Sequence, residues 1–551
     1  MKTKIDLPQK SPVLIVGAGP TGLSLAVELA RRNIDCLLID RRPNPLPLDR
    51  ATVIHSRSLE IFESMQILDH FLNRGQIMRG FNLFAYGEQI AQVLFDSLDC
   101  RHPYDLNLSE NETEEILTDR LIQLGGSVTR GWELSKLEQN DSTVTACLRA
   151  TDGTEHTVTS DWLVGADGIH SKVREAIGID IAGHRYPVQW GVIDGHLQNW
   201  KHANDMAAVQ LEDPVLNPVP LASGRWRIYF RAADGTESEE ILASIDKGLN
   251  LLSPGASLVD PDEPMLYHAH CQLSAHYKSG RVLLSGDAAH ACSPIEGHGM
   301  NMGIQDAFNL GWKLALVANG KASGSLLDSY EDERRPVAEA VGASGDAAEA
   351  LRDVPNERAA VERVKRTFCA MLYSSRGQNQ IARAESELDF HYRDSPIVNG
   401  YHLAGDEAKK EWIGLLPGDR IPDAGPLLAV KSKQEIELNQ LVQSADHILL
   451  WMITDQSESP ERDEFESVMK LMNGSFWIIS TVSPPDQLRD SPIYEQWIHD
   501  IKGDAHARLG VIDPTLFVIR PDSHIGLRCE PPDLAIVSSY FEGLRTRGTL
   551  S

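Results

Sequence analysis

Residues 13–22, Val13-Leu-Ile-Val16-Gly17-Ala-Gly19-Pro20-Thr21-Gly22, decide the fold. A short apolar, β-branched run stops at spaced glycines, and Leu23, Ala26, Val27 and Ala30 then recur at helical spacing. The pattern predicts a buried parallel strand, a tight turn and a helix. In such a turn Gly17 permits the sharp reversal, Gly19 lets a pyrophosphate approach the backbone, and Gly22 lets the helix lie close on the strand. Pro20 and Thr21 open the helix, whose first N–H groups then face phosphate. A second apolar run, Cys36 to Ile39, ends in Asp40, 23 residues beyond Gly17, where a carboxylate can accept hydrogen bonds from a ribose diol. Arg41, Arg42 and Arg50 crowd the loop that follows. Strand, turn, helix, strand and acidic residue in this order predict a dinucleotide-binding α/β unit. This segment leaves FAD and NAD(P) both open.

The rest of the chain narrows the choice. With 551 residues, two or three domains are expected. The charge balance, 52 basic against 79 acidic residues, gives −27, which opposes nucleic acid and anionic membrane as partners. Seven cysteines are scattered without a CxxC pair or a ligand-like cluster, so a reduced protein without a metal site is expected. The N-terminus lacks the apolar core of a signal peptide and no stretch is long enough to span a bilayer, which predicts a cytoplasmic protein.

Two distant segments repeat the strand-then-glycine pattern. One is Leu163-Val-Gly-Ala-Asp167-Gly168-Ile-His-Ser171-Lys-Val-Arg174. The other is Arg281-Val-Leu-Leu-Ser-Gly286-Asp287-Ala-Ala-His290, succeeded by Pro294, Gly297, Gly299, Met300, Asn301 and Gly303. Together with the first turn, these resemble the GxGxxG, DG and GD fingerprints of the flavoprotein aromatic hydroxylases. The run GDAAHACSPIEGHGMNMGIQDAFNLGWKLALV, continuing into LLDSYEDERRP, is the most specific part, and the resemblance covers most of residues 11–340.

The resemblance implies a Rossmann-like FAD-binding domain of the GR2/PHBH type in an α/β chain. An antiparallel substrate-binding sheet is inserted in it, and a C-terminal thioredoxin-like domain follows, as in phenol and polyketide hydroxylases. The expected boundaries are 1–181 and 266–400 for the FAD domain, 182–265 for the sheet, 401–430 for an extended linker and 431–551 for the last domain. It also implies roles. Asp287 would hold the ribityl chain. The loop from Pro294 to Asn301 would place N–H groups against the flavin pyrimidine. Asp167 and Arg174 would serve both FAD and NADPH or NADH, consistent with a single GxGxxG, and Arg50 matches an arginine that approaches the flavin. The chain departs from the pattern at Glu110, where glutamine is usual, and at Glu296 and His298, which replace the usual Gly and Gln.

The activity implied is hydroxylation of a phenolic or polycyclic aromatic substrate with O2 and NAD(P)H, through a flavin C4a-hydroperoxide. Baeyer–Villiger insertion, antibiotic inactivation and a flavin reductase that does not use O2 remain open as alternatives. The WxWxIP signature of flavin-dependent halogenases is absent. The segments around Trp190 and Arg225-Trp-Arg227-Ile-Tyr229 alternate like antiparallel strands with one exposed face, which makes Trp190, Arg227 and Tyr229 candidates to meet substrate. No catalytic acid or base is identified. The C-terminal domain, lacking CxxC, is expected to serve an interface or structural duty, a homodimer being one such use.

Overall fold

The computed structural model describes residues 7–45, 51–352, 374–402, 413–455, 460–472 and 475–546, with Glu362 and Arg366. Arg50 lies outside the described residues, as do residues 403–412 of the expected linker. The apolar run at the N-terminus forms the strand Lys10–Val16, with Val13, Leu14 and Ile15 wholly buried. It pairs in parallel with Glu155–Gly165 on one side and Cys36–Asp40 on the other. Val282–Leu284 extends this parallel set at one end and Val128–Arg130 at the other. Because these strands run the same way, the turns at Gly17, Asp167-Gly168 and Gly286-Asp287 emerge at one edge of the sheet. Open α/β sheets bind ligands at that edge. The helix Pro20–Ala30 returns the chain between the first two strands and packs on the helix His298–Ala318.

A second, antiparallel sheet runs in the order Leu216–Pro220, Arg225–Ala232, Ile181–Gln198, Met265–Ser274, His290–Ala291. Its central strands lack the water-facing side that alternation led us to expect. Ile193, Leu216, Ile228 and Phe230 are covered by Ile241, Ile245 and Leu249 of the helix Ser238–Leu252. The opposite face, with Trp190, Val192 and Tyr229, packs toward the hairpin Gly80–Ala85/Glu88–Leu94, which lies far outside the predicted insertion. Polar residues on these strands are therefore paired inside the protein instead of hydrated.

The C-terminal sheet has eight strands in the order Asn399–His402, Ile525–Glu530, Thr515–Ile519, Ile448–Ile453, Phe476–Ser480, Trp497–Asp500, Leu427–Ala429, Gln434–Ile436. It joins the rest through buried charge. Glu333 accepts hydrogen bonds from Arg520 Nη1 and Nη2 and from Lys313 Nζ, each at 2.7 Å. Asp522 pairs with Arg520 at 2.5 Å and accepts from Trp312 Nε1 at 2.9 Å. Burial of Glu333 disfavours its charge, but Arg520 and Lys313 outweigh it and hold the carboxyl down at about 2. In place of an extended linker, the chain from residue 413 onward is pinned. The Gly418 N–H donates to the Ile525 carbonyl at 2.7 Å, and buried Arg420 pairs with Glu60 at 2.9 Å. Its Gly, Pro and Asp residues serve turns that are packed. Among the described residues no helix is long and apolar enough to cross a membrane.

Candidate active site

The three turns open into one continuous cavity of about 1480 Å³. A single small-molecule site commonly occupies roughly 300–1,000 Å³, so this volume exceeds the need of one small ligand. Its two ends differ in chemistry. At the sheet edge it is lined by Gly17, Gly19, Pro20, Thr21, Asp40, Arg41, Arg42, Asp167 and Asp287. Beneath the antiparallel sheet it is lined by Phe81, Leu83, Phe95, Val219, Trp190 and Tyr229.

The glycines at the polar end carry different constraints. Gly17 has φ +106°, and a Cβ there would sit 2.2 Å from the Ala166 carbonyl oxygen, so the backbone itself excludes a side chain. At Gly19 the nearest atom to such a Cβ is Glu114 Oε1 at 3.9 Å. Protein packing leaves that space open, as a backbone that must meet a ligand requires. Gly19 also caps the helix Pro20–Ala30, which has no side-chain cap and no acidic residue in its first turn. The helix His298–Ala318 likewise starts at Gly297 without a side-chain cap, and Pro294, Gly297, Gly299 and Met300 line the cavity. Two uncapped helix starts with partial positive charge therefore face one space. This donor set fits the anionic pyrophosphate and polar ring edge of a flavin dinucleotide.

Asp40 also holds the turn: its Oδ2 accepts from Ala18 N and its Oδ1 from Arg42 N, both at 2.8 Å. Each carboxylate oxygen keeps further acceptor capacity for a ribose hydroxyl. Asp167 caps the next helix, accepting from Ser171 Oγ at 2.5 Å and from Lys172 N at 2.7 Å. Several predicted residues stand behind the lining. Gly22 is buried in its helix. The Gly286 N–H donates to Asp306 Oδ2 at 3.0 Å. Asn301 ties the Val53 and Gly297 carbonyls and accepts from His55 N. Arg174 donates to the Ala288 and Ile169 carbonyls, so it joins the DG turn to the GD turn.

The three sheet candidates separate in the same way. Trp190 and Tyr229 line the cavity. Arg227 is buried against its cross-strand neighbour Asp194, with two contacts at 2.8 Å, and donates to Thr52 Oγ1 at 2.6 Å. It braces the cavity wall to the segment after the cradle loop.

Several lining residues were not among the sequence candidates, although Glu110 and Glu296 stood out there as departures from the family pattern. Glu110 and Glu114 lie one helical turn apart on Glu110–Gln123 and both face the polar end. Burial, reinforced by Glu110, pushes the Glu114 carboxyl up to about 7. Its i, i+4 spacing from Glu110 was the available signal. His170, Arg185, His268 and His270 form a basic stretch of lining, where burial and then the neighbouring His170 and Arg185 push the His270 pKa down. The Phe81/Leu83 and Val93/Phe95 alternation marked a strand face, yet nothing local tied that hairpin to the site. His55, Asp105 and Glu296 complete the wall near the second helix start. There His55, His298 and Glu387 bring ligand-type atoms within 4.8 Å of one another.

Comparisons with known proteins agree with this geometry. Residues 10–344 match the FAD binding domain family. Pentachlorophenol 4-monooxygenase of Sphingobium chlorophenolicum is 31% identical over 469 residues, covering 83% of each chain. The solved structure of anhydrotetracycline hydroxylase from Streptomyces rimosus superposes with a TM-score of 0.72 at 26% identity, over 98% of this chain and 100% of that one. A ternary complex of aklavinone-11 hydroxylase with FAD and aklavinone shares the fold, with a TM-score of 0.75 at 23% identity over 99% of this chain and 100% of that one.

Proposed function

We infer, since this chain belongs to the FAD-binding aromatic monooxygenase family, that it hydroxylates a phenolic or polycyclic, polyketide-like aromatic compound in the apolar end of its cavity. The observation that carries the reading is the continuity of one space from an uncapped helix start at Gly19 to an aromatic-lined chamber at Trp190 and Tyr229. Bound FAD supplies the transfer of two electrons from NAD(P)H and the activation of O2. The overall balance is substrate–H + O2 + NAD(P)H + H⁺ → substrate–OH + NAD(P)⁺ + H2O.

The chain's own residues provide binding, orientation and exclusion of water. Backbone N–H groups after Gly19 receive the pyrophosphate, Asp40 accepts from the adenosine ribose, and the Gly297–Met300 helix start receives the polar edge of the ring system. Phe81, Leu83, Phe95 and Trp190 hold an aromatic ring in a dry setting and fix its distance from the reacting oxygen. Arg185, in the stretch it lines with His170 and His270, offers a cation suited to the phosphates of NAD(P)H. Relatives named for pentachlorophenol and anhydrotetracycline support an aromatic substrate class, and a cytoplasmic setting fits the reduced nicotinamide it consumes.

The reading is tested by following NAD(P)H oxidation, aromatic product and H2O2 for the FAD-loaded protein with a panel of phenols and polycyclic aromatics. Substrate-stimulated oxidation with product matching NAD(P)H consumed is expected. Bound flavin that neither NADH nor NADPH reduces would overturn it.

A further inference from the structure

The helix Asp328–Arg352 turns one face to the antiparallel sheet and to the loop after Asp287. Gly342, Gly345, Asp346 and Glu349 recur at the i, i+3, i+4 and i+7 spacing of such a face. A Cβ at Gly342 would lie 3.3 Å from Cys271 Sγ, and one at Gly345 would lie 3.2 Å from Ser293 Cβ. The two glycines therefore let the helix close on the strand Met265–Ser274 and on the loop that carries Ser293. Asp346 accepts from Tyr186 Oη at 2.5 Å, and Glu349, the last of the four, is buried.

The Glu349 carboxylate joins two walls of the cavity. Its Oε1 accepts from Trp190 Nε1 at 3.0 Å and from Ser293 Oγ at 2.6 Å, and its Oε2 pairs with Arg231, the cross-strand neighbour of Trp190. The Arg231 guanidinium also lies over the Trp190 ring, 5.4 Å from its centroid. Trp190 and Ser293 line the cavity, the first in the apolar chamber and the second beside Pro294, whereas Glu349 stands behind both. A buried carboxylate holds its partners firmly, because leaving it unpaired is costly. The indole is thus fixed at its edge by a charge-assisted hydrogen bond and over its ring by a cation. The same carboxylate oxygen ties it to the loop assigned above to the flavin ring.

We propose that Glu349 is a positioning residue that sets the Trp190 indole at a fixed place relative to the Ser293–Met300 loop, and that it thereby selects fused-ring aromatics over single-ring ones. The selectivity follows from rigidity. A fused-ring compound cannot bend, so its contact with one wall fixes where its far end lies, and a displaced indole costs it contact and alignment together. A single ring is small enough to re-seat against Phe81, Leu83 or Phe95 when the indole moves. The inference rests on the oxygenase reading for the class of ligand, and on the contacts of Glu349 for the position of the ring.

The test uses the full-length FAD-loaded protein with ¹⁵N-labelled indoles, in which W190F assigns the Trp190 Nε1–H signal by its loss. Exchange of that proton with solvent is expected to be slow in the parent and about tenfold faster in E349A, which removes a hydrogen bond to a buried charge. Binding is measured by calorimetry with anhydrotetracycline as the fused-ring probe and pentachlorophenol as the single-ring probe. E349A should weaken the first about tenfold and the second by less than about twofold. E349Q keeps an amide oxygen for Trp190 and Ser293, and should recover the slow exchange and most of the lost affinity. A loss in E349Q equal to that in E349A traces the effect to Arg231 and overturns the positioning role. So do exchange unchanged in E349A, equal losses for the two probes, or a parent that binds pentachlorophenol but not anhydrotetracycline. If E349A purifies without flavin, W190F, which leaves the contacts of Glu349 with Arg231 and Ser293 in place, decides by calorimetry: the same selective loss supports the proposal, and unchanged affinity for anhydrotetracycline overturns it. If neither probe binds the parent, the aromatic reading of the chamber fails, while the Trp190 exchange still decides whether Glu349 fixes the ring.

Discussion

Where the C-terminal sheet meets the helices, Arg520, Lys313, Glu333 and Asp522 are buried, with Arg520 and Lys313 facing opposite charge at 2.5–2.7 Å. Around the cradle the first N–H groups of two helices have no side-chain cap, and Gly19 faces open space. Both regions are polar interior, but only the first is satisfied by its own residues. The difference teaches where structure ends and ligand binding begins: a closed set of charges holds domains together, and donors left open are directed at something the chain does not supply.

The comparison is broken most severely at the closed set. Arg520→Met leaves Glu333 and Asp522 buried without their guanidinium and should cost about 3–5 kcal/mol, read as an earlier first transition in thermal unfolding. Bound flavin at low temperature should change little, because Arg520 does not line the cavity. Gly17→Ala breaks the open set through its backbone. It should cost more than the roughly 1–3 kcal/mol of an unfavourable backbone conformation, since its Cβ also meets the Ala166 carbonyl, and purified protein should carry almost no flavin.

Gly19→Ala sharpens the contrast. No protein atom lies closer than 3.9 Å to the new methyl group, so stability of the flavin-free protein should stay within about 0.5 kcal/mol of the parent. FAD affinity, measured by fluorescence titration, should nevertheless fall.

A smaller effect separates the regions by pH. Below about 6.5, His55 carries a proton in folded and unfolded chains alike, so its stabilisation is fully present; it is lost as pH rises through about 9. Glu333 behaves oppositely: its contribution is present above the ordinary carboxyl range and is lost as pH falls from about 4.5 toward about 2. Thermal unfolding of H55Q should therefore lose part of the alkaline slope and leave the acid slope unchanged.

The same contrast explains what was legible in the sequence. The cradle could be read because its requirements are local: Gly17, Gly19 and Asp40 lie within one strand–turn–helix–strand unit whose spacing the backbone dictates. The DG and GD turns were legible for the same reason, and parallel pairing then brings them to one sheet edge. The chamber was not, since Phe81, Phe95, Trp190, Val219 and Tyr229 come from separate strands and share no spacing. Trp190 and Tyr229 were picked out by strand alternation, but the same alternation put Arg227 with them and hid its pairing with Asp194. His55, Asp105, His298 and Glu387 show the limit most plainly, because only the folded chain makes them neighbours.

The most direct test of the central claim is turnover of the FAD-loaded protein with NAD(P)H, an aromatic substrate found by the panel, and ¹⁸O2, with the product analysed by mass spectrometry. The account predicts one ¹⁸O atom in each product molecule and NAD(P)H consumed in equal amount. Product oxygen drawn from water, or NAD(P)H consumption that yields only H2O2 with every aromatic tried, would contradict it.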